Sequence, residues 1–341
     1  MSDKKKLFFS FQGAFGPPTY GHYQSMETFI TNVKADYPDH DYSFLFMPTA
    51  RSGSKLHLEP TQHNRIDILE EFSNRLRTEH RVHVEASTLE YGIYIEKDAT
   101  DTIYTLEKIK EDHPDAVIVL GMGQDNVLQL PFWKDIKKYK ELVEKIYIVT
   151  REMDGPSTTV FTDNDEKVIG EFENKPPGWA AKEERLAPVF ANVTKNVDDT
   201  FDLGTVIKIP LPEIVKIEEA EISPSSSSMI RHFIAKIVRG DDIDANKKKI
   251  AYLIFGPDEN KHKMELVTTC INLYAAQTDE QFKAFLTKQI KGIRDDEYDA
   301  YFAKIKPTTG GKRQTRKNKR KTKRKSLKKK RKTKKKRKMK K

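Results

Sequence analysis

The feature that most narrows the fold is an alternation of short apolar runs with longer amphipathic ones. Leu7–Phe11 is apolar and aromatic, ends in a Gly/Pro-rich turn, and is followed by a helix-compatible run from His22 to Val33. The unit returns: Tyr42–Met47 then Gln62–Leu76, Val82–Ala86 then Asp101–Glu111, and Ala116–Leu120 as another buried strand. Phe132, Trp133, Ile136, Tyr139, Leu142, Val143 and Ile146 then recur at three- and four-residue spacing, which predicts one more amphipathic helix, leading into a strand at Ile146–Thr150. Strands that alternate with helices predict an α/β fold, a doubly wound parallel sheet covered on both faces.

Beyond Glu152 the pattern weakens. The polar, proline-bearing stretch to about Asp202 (TDNDEK, NKPPGW) is read as an insertion at about 152–202 in a domain of residues 1–244, and Thr205–Pro210 restores a strand. Ser225 to Ser228 crowd the start of a helix marked by Met229, Ile230, Phe233, Ile234 and Ile237. Residues 245–306 read as a mostly helical extension, either a small cap or a dimerisation element, and Pro307–Gly311 as a hinge into the tail.

Charge divides the chain sharply. Of 62 Lys and Arg, 22 lie in residues 312–341, which hold no acid, so the other 40 face 51 acids and the body carries −11 against +22 on the tail. This excludes a uniformly basic nucleic-acid-coating protein and describes an acidic body with a polybasic extension. The tail, within 307–341, lacks apolar residues for a core and is expected to be disordered. A single cysteine, Cys270, excludes an intramolecular disulfide and a thiolate metal cluster within one chain. The apolar run at the amino terminus is five residues long, far short of a signal segment or membrane span, so the chain is expected to be soluble and intracellular, cytoplasmic or nuclear.

Two segments carry anion chemistry. After the first strand comes Gly13-Ala14-Phe15-Gly16-Pro17-Pro18-Thr19-Tyr20-Gly21-His22, where glycines allow close approach of backbone amides and a helix start aims its positive end at the same spot. Taken alone, this is equally a tight turn with a capping histidine. At Ser226-Ser227-Ser228-Met229-Ile230-Arg231 hydroxyls gather at another helix start with an arginine one turn inside, which taken alone is equally a serine-capped helix. Two such sockets following strands of one sheet describe a polyphosphate site at the carboxyl edge. No Walker loop ending in Gly-Lys-Ser/Thr is present, and Gly121-Met122-Gly123 lacks the third glycine of a dinucleotide turn. His80 and His83 stand in a strand-like context whose alternation points them to opposite faces, so no zinc pair is expected and no protein-held metal is read.

On these residues the chain resembles the HxGH nucleotidylyltransferase superfamily, and within it the nicotinamide or nicotinate mononucleotide adenylyltransferases. The opening pattern of that family is matched by Gly13, Phe15, Pro17, Thr19, Gly21 and His22, and the closing pattern by Ser226, Ser227, Ser228, Ile230 and Arg231. Asp101-Thr102, Gly123-Gln124-Asp125-Asn126 with Trp133-Lys134, Arg151, and Pro48, Lys55, Pro60 and Arg65 fall where the family has its intermediate motifs. Gly16 stands where Asn or Asp is common, and the 152–202 insertion is long. The resemblance spans roughly residues 7 to 240.

It implies a Rossmann-like nucleotidylyltransferase fold and transfer of AMP from ATP to nicotinamide or nicotinate mononucleotide, giving NAD or its deamido form and pyrophosphate. His22, Thr19 and Arg231 are the implied catalytic residues. Gly13, Ala14, Phe15, Gly21, His22, Asp125, Ser226, Ser227, Ser228 and Arg231 would bind ATP, and Lys55, Thr102, Trp133 and Arg151 the mononucleotide. Mg2+ would travel with the triphosphate. The competing readings are another enzyme of the superfamily, or a non-catalytic nucleic-acid-binding protein that uses its tail.

The partner expected for residues 312–341 is nucleic acid or another polyanion, and lysine- and threonine-rich tails of this style resemble those on proteins encoded by large DNA viruses. If the tail neutralises about eight phosphates of duplex DNA, log affinity should fall against log salt with a slope of about −7. A flat salt dependence, or binding unchanged by deletion of residues 312–341, would contradict that partner.

Overall fold

The computed structural model describes residues 4–51, 58–98, 100–123, 126, 133–149, 161–163, 168–170, 207–209, 213–217, 227–258, 260 and 262–277. Six parallel strands form the main sheet: β1 (Lys6–Gly13), β2 (Asp41–Pro48), β3 (His83–Ala86), β4 (Val117–Gly123), β5 (Lys145–Val149) and β9 (Glu213–Ile217), in the order β3-β2-β1-β4-β5-β9. The crossovers carry helices α1 (Tyr20–Asp36), α2 (Gln62–His80), α3 (Leu89–Lys97), α4 (Thr102–Asp112) and α5 (Ile136–Leu142). The chain winds outward from β1 to β3 and then returns to β4 beside β1. The loops leaving β1 and β4 therefore diverge, which opens a crevice at the carboxyl edge. Three short strands, β6 (Phe161–Asp163), β7 (Val168–Gly170) and β8 (Ile207–Ile209), form a second sheet in the order β7-β6-β8.

The central strands are buried and largely apolar on both faces, as expected of parallel strands under two helical layers; Ser10 and Gln12 of β1 are buried polar exceptions hydrogen-bonded to each other. On one face Leu45, Met47, Ile118, Leu120, Met122, Ile146 and Ile148 meet Ile103, Leu106 and Ile109 of α4 and Tyr139 of α5. On the other, the Phe9 ring packs against Phe29 of α1 at 4.9 Å and Phe44 at 5.5 Å. Burying one such ring contributes about 1.5–3 kcal/mol. Three further helices, α6 (Ser227–Val238), α7 (Ile243–Phe255) and α8 (Met264–Ala275), complete the description. α6 packs on α7 and α8, α7 reaches α1, and α8 reaches α2, where Asn64 Nδ2 donates to the Leu266 carbonyl at 3.2 Å. No described helix is long and apolar enough to cross a membrane.

The expected strand–helix order holds through β5, with local corrections. The helix expected over Phe132–Ile146 is confined to Ile136–Leu142, because Asp135 takes a left-handed conformation (φ 52°) before it and Val143 is extended after it. Ile146 belongs to β5. α3 was not expected, since Tyr, Ile and a mid-segment glycine lower helix propensity. The strand at Thr205–Pro210 is β8 of the small sheet; the sixth strand of the main sheet is β9. His80 closes helix α2 and does not stand in a strand. Lys55, Asp125, Arg151, Ser226, the side chain of Ser228, most of the 152–202 segment, residues 278–306 and the tail lie outside the described residues.

Gly121 shows how tightly the sheet is covered: a Cβ there would lie 2.2 Å from Phe9 Cζ and 3.0 Å from the Phe29 ring. Gly121→Ala should destabilise the protein by about 1–3 kcal/mol, read as a lower denaturant midpoint, and Phe9→Leu in the same chain should recover part of the loss. An unchanged midpoint would contradict the contact.

Candidate active site

The loop from Gly13 to Thr19 sits at the crevice where the sheet order reverses, and its shape is set from inside. Phe15 takes a left-handed conformation (φ 43°), uncommon for a side chain of that size, and its buried ring stands edge-on to Phe11 at 5.4 Å and Phe46 at 5.9 Å. A Cβ on Gly13 would come within 3.1 Å of that ring, so the position needs glycine for close approach.

The carbonyls of this loop are tied to distant donors. Gly13 accepts from the Thr49 amide at 2.9 Å and Ala14 from Arg65 at 2.7 Å. Gly16 accepts from the Arg231 guanidinium, and Pro17 from Ser227 Oγ at 2.7 Å. The two sequence motifs, 215 residues apart at Gly16 and Arg231, are thus in direct contact. With those carbonyl dipoles turned into the protein, the loop does not oppose an anion in the crevice.

Thr19 and His22 form the start of α1. Thr19 caps the helix and His22 is its third residue, a reciprocal capping box in which the Thr19 amide donates to Nδ1 of His22 at 2.9 Å. Accepting at Nδ1 places the proton of the neutral imidazole on Nε2, the edge that can donate to a ligand. The Phe15 ring lies at 4.9 Å from the imidazole and fixes its plane. Thr19, expected beside phosphate, is fully buried with its hydroxyl 3.0 Å from Nδ1. Gly21 is buried behind it, its carbonyl accepting from Ser25.

Arg231 is 7% exposed, and its guanidinium faces the loop carbonyl and the buried Cys270 and Tyr274 of α8. Arg65, one of the residues that carry the family resemblance, is fully buried. It donates to the carbonyls of Ala14, Thr49 and Leu58 and to the Tyr91 hydroxyl, tying together the loops after β1 and β2. Bonds to neutral oxygens leave its positive charge in place, although burial lowers its pKa.

On the far side of the crevice Thr102 opens α4, and its hydroxyl is hydrogen-bonded to the Tyr139 phenol. Trp133 precedes α5, half-buried, with its ring 5.6 Å from Tyr139. Lys134 bridges to Asp101 at 3.7 Å. The structure therefore gathers the Gly13–His22 loop, Ser227 and Arg231 into one cluster, and Thr102 and Trp133 into a second built on α4 and α5.

Sequence reasoning missed Glu90. It is 1% exposed, and its carboxyl accepts from the Ala50 amide at 2.9 Å in the loop that Arg65 also holds. Burial pushes its pKa up to about 8, opposed by the Ala50 hydrogen bond and the charge of Arg65. An acid inside the apolar segment Leu89–Ile95 was the available signal.

Residues 10–233 match the family described as cytidylyltransferase-like. A protein of Leptospira borgpetersenii serovar Hardjo-bovis (strain JB197), described as a probable nicotinate-nucleotide adenylyltransferase, is 27% identical over 141 residues, 41% of this chain and 66% of the relative. Its counterpart in Leptospira interrogans serogroup Icterohaemorrhagiae serovar copenhageni (strain Fiocruz L1-130) is 26% identical over 142 residues, 41% of this chain and 65% of the relative. The chain thus spans just under two thirds of the length of these relatives. Among solved structures, Plasmodium falciparum nicotinic acid mononucleotide adenylyltransferase complexed with APC aligns over 79% of this chain and 98% of that one, with 16% identity and a TM-score of 0.44.

Glu90 gives a pH prediction. Its folded pKa lies above the ordinary 4.5, so its contribution to stability is fully present below about pH 4.5 and is lost as pH rises through about 8. Glu90→Gln keeps an acceptor for the Ala50 amide, so melting temperature should fall less between pH 5 and pH 8 in the variant than in the parent. Parallel curves would show that Glu90 does not titrate in that window.

Proposed function

Because the chain belongs to the cytidylyltransferase-like family, we propose that it transfers AMP from ATP to nicotinamide or nicotinate mononucleotide, forming NAD or its deamido form and releasing pyrophosphate. The observation that carries this reading is the docking of the α6 start onto the Gly13–Thr19 loop, through Ser227 on Pro17 and Arg231 on Gly16. One triphosphate can then lie between the amides of the first loop and the amino-terminal end of α6.

In this reaction a 5′-phosphate oxygen of the mononucleotide attacks the α-phosphorus of ATP in line, and the bond to the β-phosphate oxygen breaks. No protein nucleophile takes part, so the work is positioning and charge stabilisation. His22, held by Thr19, donates its Nε2–H to an α-phosphate oxygen as charge builds there. Arg231 and Arg65 supply positive field from behind the loop, and Ser226, Ser227 and Ser228 with their helix start receive the departing pyrophosphate. Asp125 accepts from the adenosine ribose. Trp133 stacks on the pyridine ring, Thr102 and Arg151 line its site, and Lys55 attracts the mononucleotide phosphate.

Magnesium enters with ATP as part of the substrate. The Gly13–His22 loop and the α6 start bring donors to the triphosphate and no carboxylate of their own, which fits a cation carried by phosphate and water.

The test is to incubate the purified chain with ATP, magnesium and each mononucleotide, and to follow dinucleotide and pyrophosphate. Product is expected from one or both acceptors. His22→Ala should lower kcat by about 10²–10³, the scale of one lost oxyanion donor, when assayed well below the melting temperature of the variant, which also loses the capping box. No pyrophosphate from any acceptor, together with tight salt-sensitive DNA binding, would replace this reading with that of a non-catalytic nucleic-acid-binding protein.

A further inference from the structure

Away from the crevice, α1 and the last turn of α2 bring together two carboxylates and an imidazole that the proposed reaction does not use. One donor atom each from Glu27, Glu79 and His80 lies within 4.8 Å of the others. Tyr23 and Glu27 are four residues apart and share one face of α1; Glu79 and His80 are the closing residues of α2.

The closest pair is His80 Nε2 and Glu27 Oε1 at 3.7 Å, beyond hydrogen-bond reach. The nitrogen is shielded from solvent and has no hydrogen-bond partner, a state that is unfavourable for a polar atom. Glu79 is oriented by the Tyr23 hydroxyl, which donates to its Oε2 at 2.7 Å. Burial and the Glu79 contact hold the Tyr23 phenol protonated, so it persists as a donor. This is the outer hydrogen bond that metal-ligating carboxylates carry.

Two cations stand nearby, and both are turned elsewhere. Lys34 Nζ donates to the His80 carbonyl at 3.2 Å, and Arg75 stacks on the Tyr23 ring at 4.2 Å while donating to the Phe255 carbonyl.

We propose that Glu27, Glu79 and His80 bind a first-row divalent cation, with zinc as its probe, and that the ion ties α1 to the end of α2. Ligand bonds of about 2.0–2.2 Å at tetrahedral angles separate donors by about 3.3 Å. The Glu27–His80 pair needs only a few tenths of an ångström of closure, and Glu79 is an exposed side chain able to swing inward. An imidazole among the donors selects zinc or a neighbouring transition metal over magnesium or calcium, which take oxygen ligands. The site is therefore chemically distinct from the magnesium that accompanies ATP. Its effect is on stability, since an ion bound only by the folded chain raises the melting temperature with its concentration.

The experiment is titration calorimetry of the full chain with zinc chloride in chelator-free buffer, paired with thermal melts, for the parent, His80→Asn and Glu27→Gln. The expected result is a zinc site in the parent that raises the melting temperature, and affinity at least tenfold weaker in each variant. Without zinc both variants should melt close to the parent; Glu27 is 43% exposed, so its replacement keeps the test sound should His80→Asn perturb the helix end. Equal zinc affinity and stoichiometry in all three proteins, no binding by the parent, or displacement of zinc by millimolar magnesium would overturn the proposal.

Discussion

The structure depends on how the carbonyls of one short loop are satisfied. Gly16 and Pro17 are buried and would each leave an acceptor unmet, at about 1–3 kcal/mol apiece, if no donor came to them; the partly buried Gly13 and Ala14 also accept. The donors arrive from the end of β2, from α2 and twice from α6. Each bond holds the loop in place and also locates the element that supplies it. Arg65 extends the scheme: three bonds from one side chain join the loops of the neighbouring strands β1 and β2, and a fourth reaches the Tyr91 hydroxyl of α3.

Electrostatics follow from the same choice. A guanidinium directed at carbonyls is costly to bury but retains its charge, whereas one paired with a carboxylate would be neutralised. Arg65 and Arg231 hold their charge behind the loop while His22 reaches the front with a single assigned proton. Glu90, the acid closest to this arrangement in purpose, is pushed toward its neutral form by the enclosure that holds it. Fixed, preoriented positive charge of this kind favours an anion in the crevice.

Much of this was legible from residue order. Alternation of apolar and amphipathic runs specified the doubly wound sheet through β5, because parallel strands and covering helices each carry their own period. Each anion segment alone could be an ordinary turn or helix cap; the two stood out as a pair, following strands of one sheet. What escaped was set by tertiary contact. α3 forms against local propensity because Tyr91 and Ile93 bury into the body. The direction of Arg231, inward onto Gly16, depends on α8 lying over it. Nothing in sequence linked Glu27 to His80, since their proximity arises only from the packing of α1 on α2.

One consequence concerns synthesis on the ribosome. The donors for Gly16 and Pro17 lie 215 and 210 residues downstream, so most of the chain must emerge before that loop acquires its final partners. A partly translated chain can lay down β1, α1 and β2, yet the crevice at the carboxyl edge stays unfinished until α6 arrives. Completion of that loop therefore waits on α6, and a product truncated before Ser227 lacks both donors.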